Sequence, residues 1–318
     1  MRKTALLIIG LLAAATAFAD PAGDRRELVR QFDYAAEPFP FTRTREGGLP
    51  TFTSWRIEMP SPVETEFDSN NTVYGHYYEP RQATDAGVIV LPIAAGKDLT
   101  LEQSVALYMV HRGFKAFVMP MPYQQERGKS VGGKNVLKLD GGLERFRDGV
   151  RQSVLDVKRV RQWMVEHAGV NPRRVGLVGI SLGSLCASIV YSVDPGFQAA
   201  VLVLSGGDMA EVIWHGSKET LKIKNEILAQ GKDRNWVEEM VRPMDPLTYA
   251  TPERGKGIFM VNASQDEVFP WEATKKLHRA YGEPRILVLP GNHYSVAAFI
   301  PVVLESSAQH LRKRLLGK

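Results

Sequence analysis

The sequence predicts an α/β protein built on a doubly wound, mostly parallel sheet with a small helical insertion. Three observations predict it. Apolar runs such as Gly87-Val88-Ile89-Val90-Leu91-Pro92-Ile93 are nearly continuous, as strands buried on both faces are. These runs alternate with amphipathic stretches, which is the rhythm of parallel strands joined by crossover helices. A Gly-x-Ser-x-Gly pattern, Gly179-Ile180-Ser181-Leu182-Gly183, stands between one such run and a helix of small and apolar residues.

The elements follow in order. Residues 20–54, with Pro38, Pro40, Gly47, Gly48 and Pro50, are expected to form an N-terminal arm on the surface. Trp55 to Met59 and Val73 to Tyr78 alternate as a hairpin at the sheet edge, around the polar turn Asp68-Ser69-Asn70-Asn71. The run Ala86 to Ile93 is the first buried strand. It leads through Ala94-Ala95-Gly96 to a helix over 101–112, and Phe114 to Met119 is the next strand. A polar loop, 120–142, follows. Its Gly128-Lys129-Ser130 is rejected as a phosphate loop, because Tyr123 occupies the position of the required earlier glycine.

Phe146, Val150, Val154, Val157, Val160 and Met164 recur at three- and four-residue intervals, so 144–167 is predicted to be a long amphipathic helix. Strands are expected at 174–178, 198–204, 257–262 and 285–289, and helices at 182–191, 271–281 and 300–315. Residues 206–251 break the rhythm. They carry Trp214, Trp236 and several aliphatics among many charges, and read as two or three helices forming a cap within one domain, 55–318.

The chain has 318 residues, 44% of them hydrophobic and 24% charged, an ordinary globular composition with ample material for a core. Arg2 and Lys3 precede the apolar stretch Ala5–Ala15, and Ala17-Phe18-Ala19 matches the small-x-small cleavage pattern. Residues 1–19 are therefore read as a cleaved signal peptide, with the protein exported to the periplasm or the medium and without a stable membrane anchor. Removing Arg2 and Lys3 lowers the formal charge from +5 to +3. That small, scattered excess predicts no nucleic-acid partner. Cys186 is the only cysteine, so no intrachain disulfide forms. Its place among Leu182, Leu185, Ala187 and Ile189 reads as a small buried residue. No metal-ligand spacing appears, and no cofactor is expected.

The chemistry centres on Ser181. A serine hydroxyl is a weak nucleophile that needs a base, itself oriented by a carboxylate. A sharp strand-to-helix turn presents the hydroxyl beyond the sheet, and glycines on either side allow strand and helix to approach. The acid is sought after a later strand, where Asp266 stands in Ser264-Gln265-Asp266-Glu267, with Glu267 and Asp208 as rivals. Asp245 reads as a turn or cap residue. His293, in Pro290-Gly291-Asn292-His293-Tyr294, is the one histidine in a strand-to-helix loop beyond both. The developing oxyanion needs donors. The N–H of Leu182 is one, and Ala94 or Ala95 would supply the other. Trp214, Met209 and Tyr123 are candidates to line an apolar acyl pocket, or else simply to pack the cap onto the sheet.

These residues, in this chain order, resemble the α/β-hydrolase superfamily from about Trp55 to Leu315, and in the hairpin ahead of the first buried strand they are similar to exported acyl esterases and prolyl-oligopeptidase-like hydrolases. Too few residues precede Trp55 for the propeller of the latter. Ala94-Ala95-Gly96 departs from the His-Gly that many members carry there, which leaves the second oxyanion donor open. The resemblance implies a serine hydrolase acting on a small-molecule carboxylic ester through an acyl-enzyme on Ser181. An amide or peptide substrate is the nearest alternative, and a non-catalytic ligand-binding protein is the alternative from a different class.

Overall fold

The computed structural model describes residues 21–94, 96–131, 142–217 and 219–318. The signal-type segment, Ala95 and the glycine- and lysine-rich part of the loop after Met119 lie outside these. The described residues form a nine-stranded sheet in the order β1-β2-β3-β5-β4-β6-β7-β8-β9. The strands are β1 (Thr42–Leu49), β2 (Phe52–Pro60), β3 (Thr72–Pro80), β4 (Gly87–Leu91), β5 (Lys115–Val118), β6 (Val175–Ile180), β7 (Ala199–Val203), β8 (Ile258–Ala263) and β9 (Arg285–Leu289). From β5 to β9 every pairing is parallel, whereas β1, β2 and β3 run antiparallel.

One strand lies outside the sequence expectation. Thr42–Leu49 is the edge strand, paired with β2 through a register shift between Arg45 and Gly47. Its side chains are almost all exposed, so no apolar alternation marks it. The predicted hairpin therefore lies one strand in from the edge. The N-terminal segment also does more than lie on the surface. It begins as α1 (Pro21–Arg30). Phe32 beyond it is buried edge-on against Tyr249, and Lys158 donates to the Phe32 carbonyl.

The helices divide between the two faces of the sheet. On one face lie α3 (Gly142–His167), α4 (Leu182–Val193) and α10 (Trp271–Ala280); on the other lie α2 (Thr100–His111) and α11 (Ile300–Leu315). Alternate side chains of the strands serve the two cores. Ile89, Leu91 and Leu177 belong to the first, and Val88, Val90, Val178 and Ile180 to the second. The six periodic residues of α3 are all buried, as the sequence spacing requires. Between β7 and β8 the chain forms α5 (Met209–His215), α6 (Glu219–Ala229), α7 (Arg234–Val241) and α8 (Pro246–Tyr249), with α9 (Pro252–Gly255) leading into β8.

The winding sets where a ligand can bind. From β4 the chain crosses to β5 on one side, and the strand on the other side of β4 is β6. Such a reversal opens a crevice beyond the carboxyl ends of β4 and β6. A buried ion pair fixes the loop after β5 beside that crevice: Arg127 Nη2 lies 2.8 Å from Asp156 Oδ2 of α3, both side chains fully buried. The same guanidinium donates to the Asn70 carbonyl, and Ser61 Oγ donates to Asp156 Oδ1.

His310, buried on α11, donates Nε2–H to the Gly257 carbonyl at 3.0 Å and lies against Phe259. Burial holds its pKa down at about 4. The neutral ring is thus favoured in the fold, so its contribution is complete above the unfolded value of about 6.5 and is lost as pH falls through about 4. Over that window, wild type should lose roughly 3 kcal/mol relative to His310→Gln. Urea unfolding of both proteins from pH 7 to pH 4 checks this; a pH-independent difference would contradict it.

Candidate active site

Ser181 follows β6 directly and has φ 54°, ψ −114°, in the half of the map that side-chain-bearing residues avoid. Two close approaches hold it there. A Cβ on Gly179 would lie 2.3 Å from the Gly183 carbonyl oxygen, and one on Gly183 would lie 2.3 Å from the carbonyl oxygen of Leu91 at the end of β4. Ser181 N–H donates to the Val203 carbonyl of β7, and its own carbonyl accepts from Ser184 N–H and Ser184 Oγ. The turn is thereby clamped between the ends of β4 and β7, the two neighbours of β6. Leu182 begins α4, so its N–H is among those at a helix start that no intrahelical carbonyl accepts.

Across from Ser181 stands His293. Its Nε2 lies 3.1 Å from Ser181 Oγ, and its Nδ1 lies 2.8 and 2.9 Å from the two Asp266 carboxylate oxygens. Asp266 is buried and its Oδ1 accepts from the N–H groups of Val268 and Phe269, each at 2.8 Å. The two loops are fastened to each other: Ser264 N–H donates to the Leu289 carbonyl and Gln265 N–H to that of Gly291. Gly291 has φ 103°, which only glycine adopts without strain. Beyond it Asn292 Oδ1 accepts from Tyr294 and Ser295 N–H, closing the turn that carries the ring.

The rival acids have other partners. Glu267 Oε2 accepts the backbone N–H of His293 at 3.1 Å, so it braces the loop and leaves the ring to Asp266. Asp208 caps α5 through Glu211 N–H and pairs with Lys276. Asp245 caps α8 and accepts from Met209 N–H; burial raises its pKa to about 6. The remaining histidines also have partners elsewhere. His76 pairs with Glu46, His215 with Glu211 and His167 with Glu166, while His111, His278 and His310 bond carbonyl oxygens. Burial pushes the Cys186 thiol up to about 12, so it holds no thiolate near neutral pH.

Ala94 lines the same cavity as Ser181, Leu182 and His293. Its neighbour Ala95 lies outside the described residues. Sequence reasoning missed what holds this loop. Buried Glu102 of α2 accepts Ile93 N–H at 3.1 Å, and burial raises its pKa. Buried Gln124 donates to the carbonyls of Ile93 (3.0 Å) and Ala94 (3.3 Å) and accepts from Met121 N–H. Flanking Gln124, Tyr123 and Gln125 have φ 63° and 49°, strained values of the kind that cluster at functional sites. A second unseen cluster joins β7 to β8: buried Asn262 Nδ2 and Thr274 Oγ1 both donate to the Ser205 carbonyl.

The cavity has a volume of about 750 Å³ and an apolar lining that includes Met209. Trp214 and Tyr123 are not among its lining residues. Tyr123 is buried edge-on against Phe67, and its N–H donates to Asn70 Oδ1. Trp214 packs half-buried on the core, with Lys224 Nζ 5.0 Å from its ring centre. Among the described residues, no cluster of His, Cys, Asp and Glu is arranged to hold a metal ion, and no helix is long and apolar enough to cross a membrane.

No family model matches the chain. It is 26% identical over 314 residues to an uncharacterized protein of Mycobacterium tuberculosis H37Rv, covering 90% of this chain and 72% of the relative. A second uncharacterized protein, from strain CDC 1551, is 26% identical over 272 residues, 80% of this chain and 62% of the relative. Among solved structures, acetyl xylan esterase 1 from Thermoanaerobacterium superposes with a TM-score of 0.68 at 14% identity, covering 92% of this chain and 94% of that one. A cold-adapted esterase from an Arctic intertidal metagenomic library gives a TM-score of 0.57 at 18% identity, with 87% and 99% covered. The acylaminoacyl peptidase of Pyrococcus horikoshii gives 0.61 at 14% identity, with 85% of this chain and 43% of that one covered. The chain has the α/β-hydrolase fold.

The clamp on Ser181 is testable apart from any activity. A methyl group added at Gly183 meets the Leu91 backbone, whereas one added at Gly47 has only Ser54 Oγ, 3.8 Å away. Urea unfolding should show Gly183→Ala less stable by roughly 1–3 kcal/mol and Gly47→Ala nearly unchanged. Equal effects would contradict the close-approach account.

Proposed function

We propose that the protein is a serine hydrolase that cleaves carboxylic esters through an acyl-enzyme on Ser181. The observation that carries this reading is His293, whose Nε2 meets Ser181 Oγ while its Nδ1 is held by a buried Asp266. With the Nδ1 proton donated to Asp266, the lone pair of Nε2 faces the serine hydroxyl and can take its proton.

Ser181 Oγ attacks the acyl carbon as that proton passes to His293. The oxyanion is stabilised by Leu182 N–H and by a second donor from the loop at Ala94 and Ala95. Each such donor is worth about 3 kcal/mol in related chemistry. Asp266 stabilises the imidazolium, which then protonates the departing alkoxide. Water, deprotonated by the same ring, hydrolyses the acyl-enzyme. Met209 and the apolar cavity around it receive the acyl group. The first nineteen residues support export, and the periplasm or the medium is the proposed location.

The experiment is hydrolysis of p-nitrophenyl butanoate. Ser181→Ala should lower kcat by about 10⁴-fold or more, and Asp266→Asn by about 10³- to 10⁴-fold. Glu267→Gln and Asp208→Asn should each cost less than about tenfold, since their contacts support the loops and α5. Activity retained in Ser181→Ala would end the reading. A larger loss in Glu267→Gln or Asp208→Asn than in Asp266→Asn would end the assignment of the acid. Faster turnover of aminoacyl amides than of any ester would end the assignment of the ester.

A further inference from the structure

Residues of both cores line the site cavity. One branch is lined by Leu185 of α4, Met209 and Val212 of α5 and Ile223 of α6, all members of the core beneath α3 and α4; Thr220, Lys222 and Glu226 of α6 line it too, the last two solvent-exposed and paired with each other. The other is lined by Val105 and Met109 of α2, Val178 and Ile180 of β6, and Val303 of α11, all members of the opposite core. Ser181, at the carboxyl end of β6, lines the same cavity as both sets. We infer that, given the hydrolase reading on which this rests, the substrate is an ester apolar on both sides of its scissile bond, with its two arms on opposite faces of the sheet.

The chemistry of the second branch carries this. Ser307 is a polar lining residue deep on α11, and its hydroxyl donates back to the Val303 carbonyl at 2.6 Å. A sugar or glycerol hydroxyl placed there would exchange its several water partners for at most the lone pairs of the Ser307 oxygen, whose own O–H is already engaged, which is unfavourable. Methylenes placed there leave water for aliphatic walls. The branch is also long. It runs along α2 from Leu101 to Met109, eight residues or about 12 Å of helix. An extended alkyl chain of roughly ten carbons, at about 1.25 Å per carbon, has that length. Leu101 and Ile300, both exposed, stand at its outer end, where an apolar chain can enter.

Two ester series test this. One varies the alcohol arm from methyl to octyl butanoate; the other varies the acyl arm from p-nitrophenyl acetate to decanoate. In each, kcat/KM should rise by at least about tenfold with chain length. Met109→Trp, which fills the second branch, should flatten the dependence on one arm. Ile223→Trp, which fills the first, should flatten the dependence on the other. Val105→Trp is the substitute if Met109→Trp does not fold by circular dichroism. A flat response to either arm, both variants acting on the same arm, or faster turnover of acetylated sugars than of octyl butanoate would overturn the inference. Fluorophosphonate labelling separates the failures. A labelled Ser181 with flat length dependence sinks only the two-armed substrate, whereas an unlabelled protein that hydrolyses no ester sinks the hydrolase reading with it.

Discussion

The backbone of Ser181 is the constraint on which the rest of the site depends. A serine at φ 54° is unfavourable alone and persists only where the surroundings over-determine it. Here the neighbours do so through contact. Gly179 and Gly183 let α4 descend onto β6 and β4 with no room for a methyl group between them, and the Val203 carbonyl holds the Ser181 N–H from the other side. The result is a hydroxyl at the crevice made by the reversal of winding at β4 and β6. In the proposed chemistry this placement precedes reaction, so little reorganisation accompanies charge development.

Two further loops must meet that hydroxyl, and each is held by contacts outside the trio. The loops that carry Asp266 and His293 bond to each other through Ser264, Gln265, Leu289 and Gly291, and Glu267 braces the backbone of His293. On the opposite side, Glu102 and Gln124 hold Ile93 and Ala94. The loop carrying Gln124 is strained at Tyr123 and Gln125 and fastened below by the buried Arg127–Asp156 pair. A buried pair of this kind contributes little net stability, while removing one member leaves an uncompensated charge. Here the pair ties the loop after β5 to α3.

Much of this was legible in the sequence because the signals were local. Buried parallel strands read as apolar runs, and α3 is marked by its spacing. Ser181 is fixed by glycines two residues away on either side, and Asp266 and His293 by following strands in the expected order. Strand β1 was not legible because its exposed side chains carry no alternation; it is held by backbone pairing alone. Glu102, Gln124, Asn262 and Thr274 were missed because each acts on a partner that only the fold brings close. Trp214 and Tyr123 were open to two readings, pocket lining or packing of the cap. Residue type suggested a pocket, but an aromatic ring serves a core equally well, and the direction of a side chain is set by packing that sequence does not display.

The central claim is that Ser181 becomes acylated during turnover. Acid-quenching the protein a few milliseconds after mixing with a p-nitrophenyl ester, then locating the added mass by tandem mass spectrometry, tests it directly. The account predicts one acyl group on Ser181, absent from Ser181→Ala. An acyl group on Ser184 or elsewhere, persisting in Ser181→Ala, would contradict it.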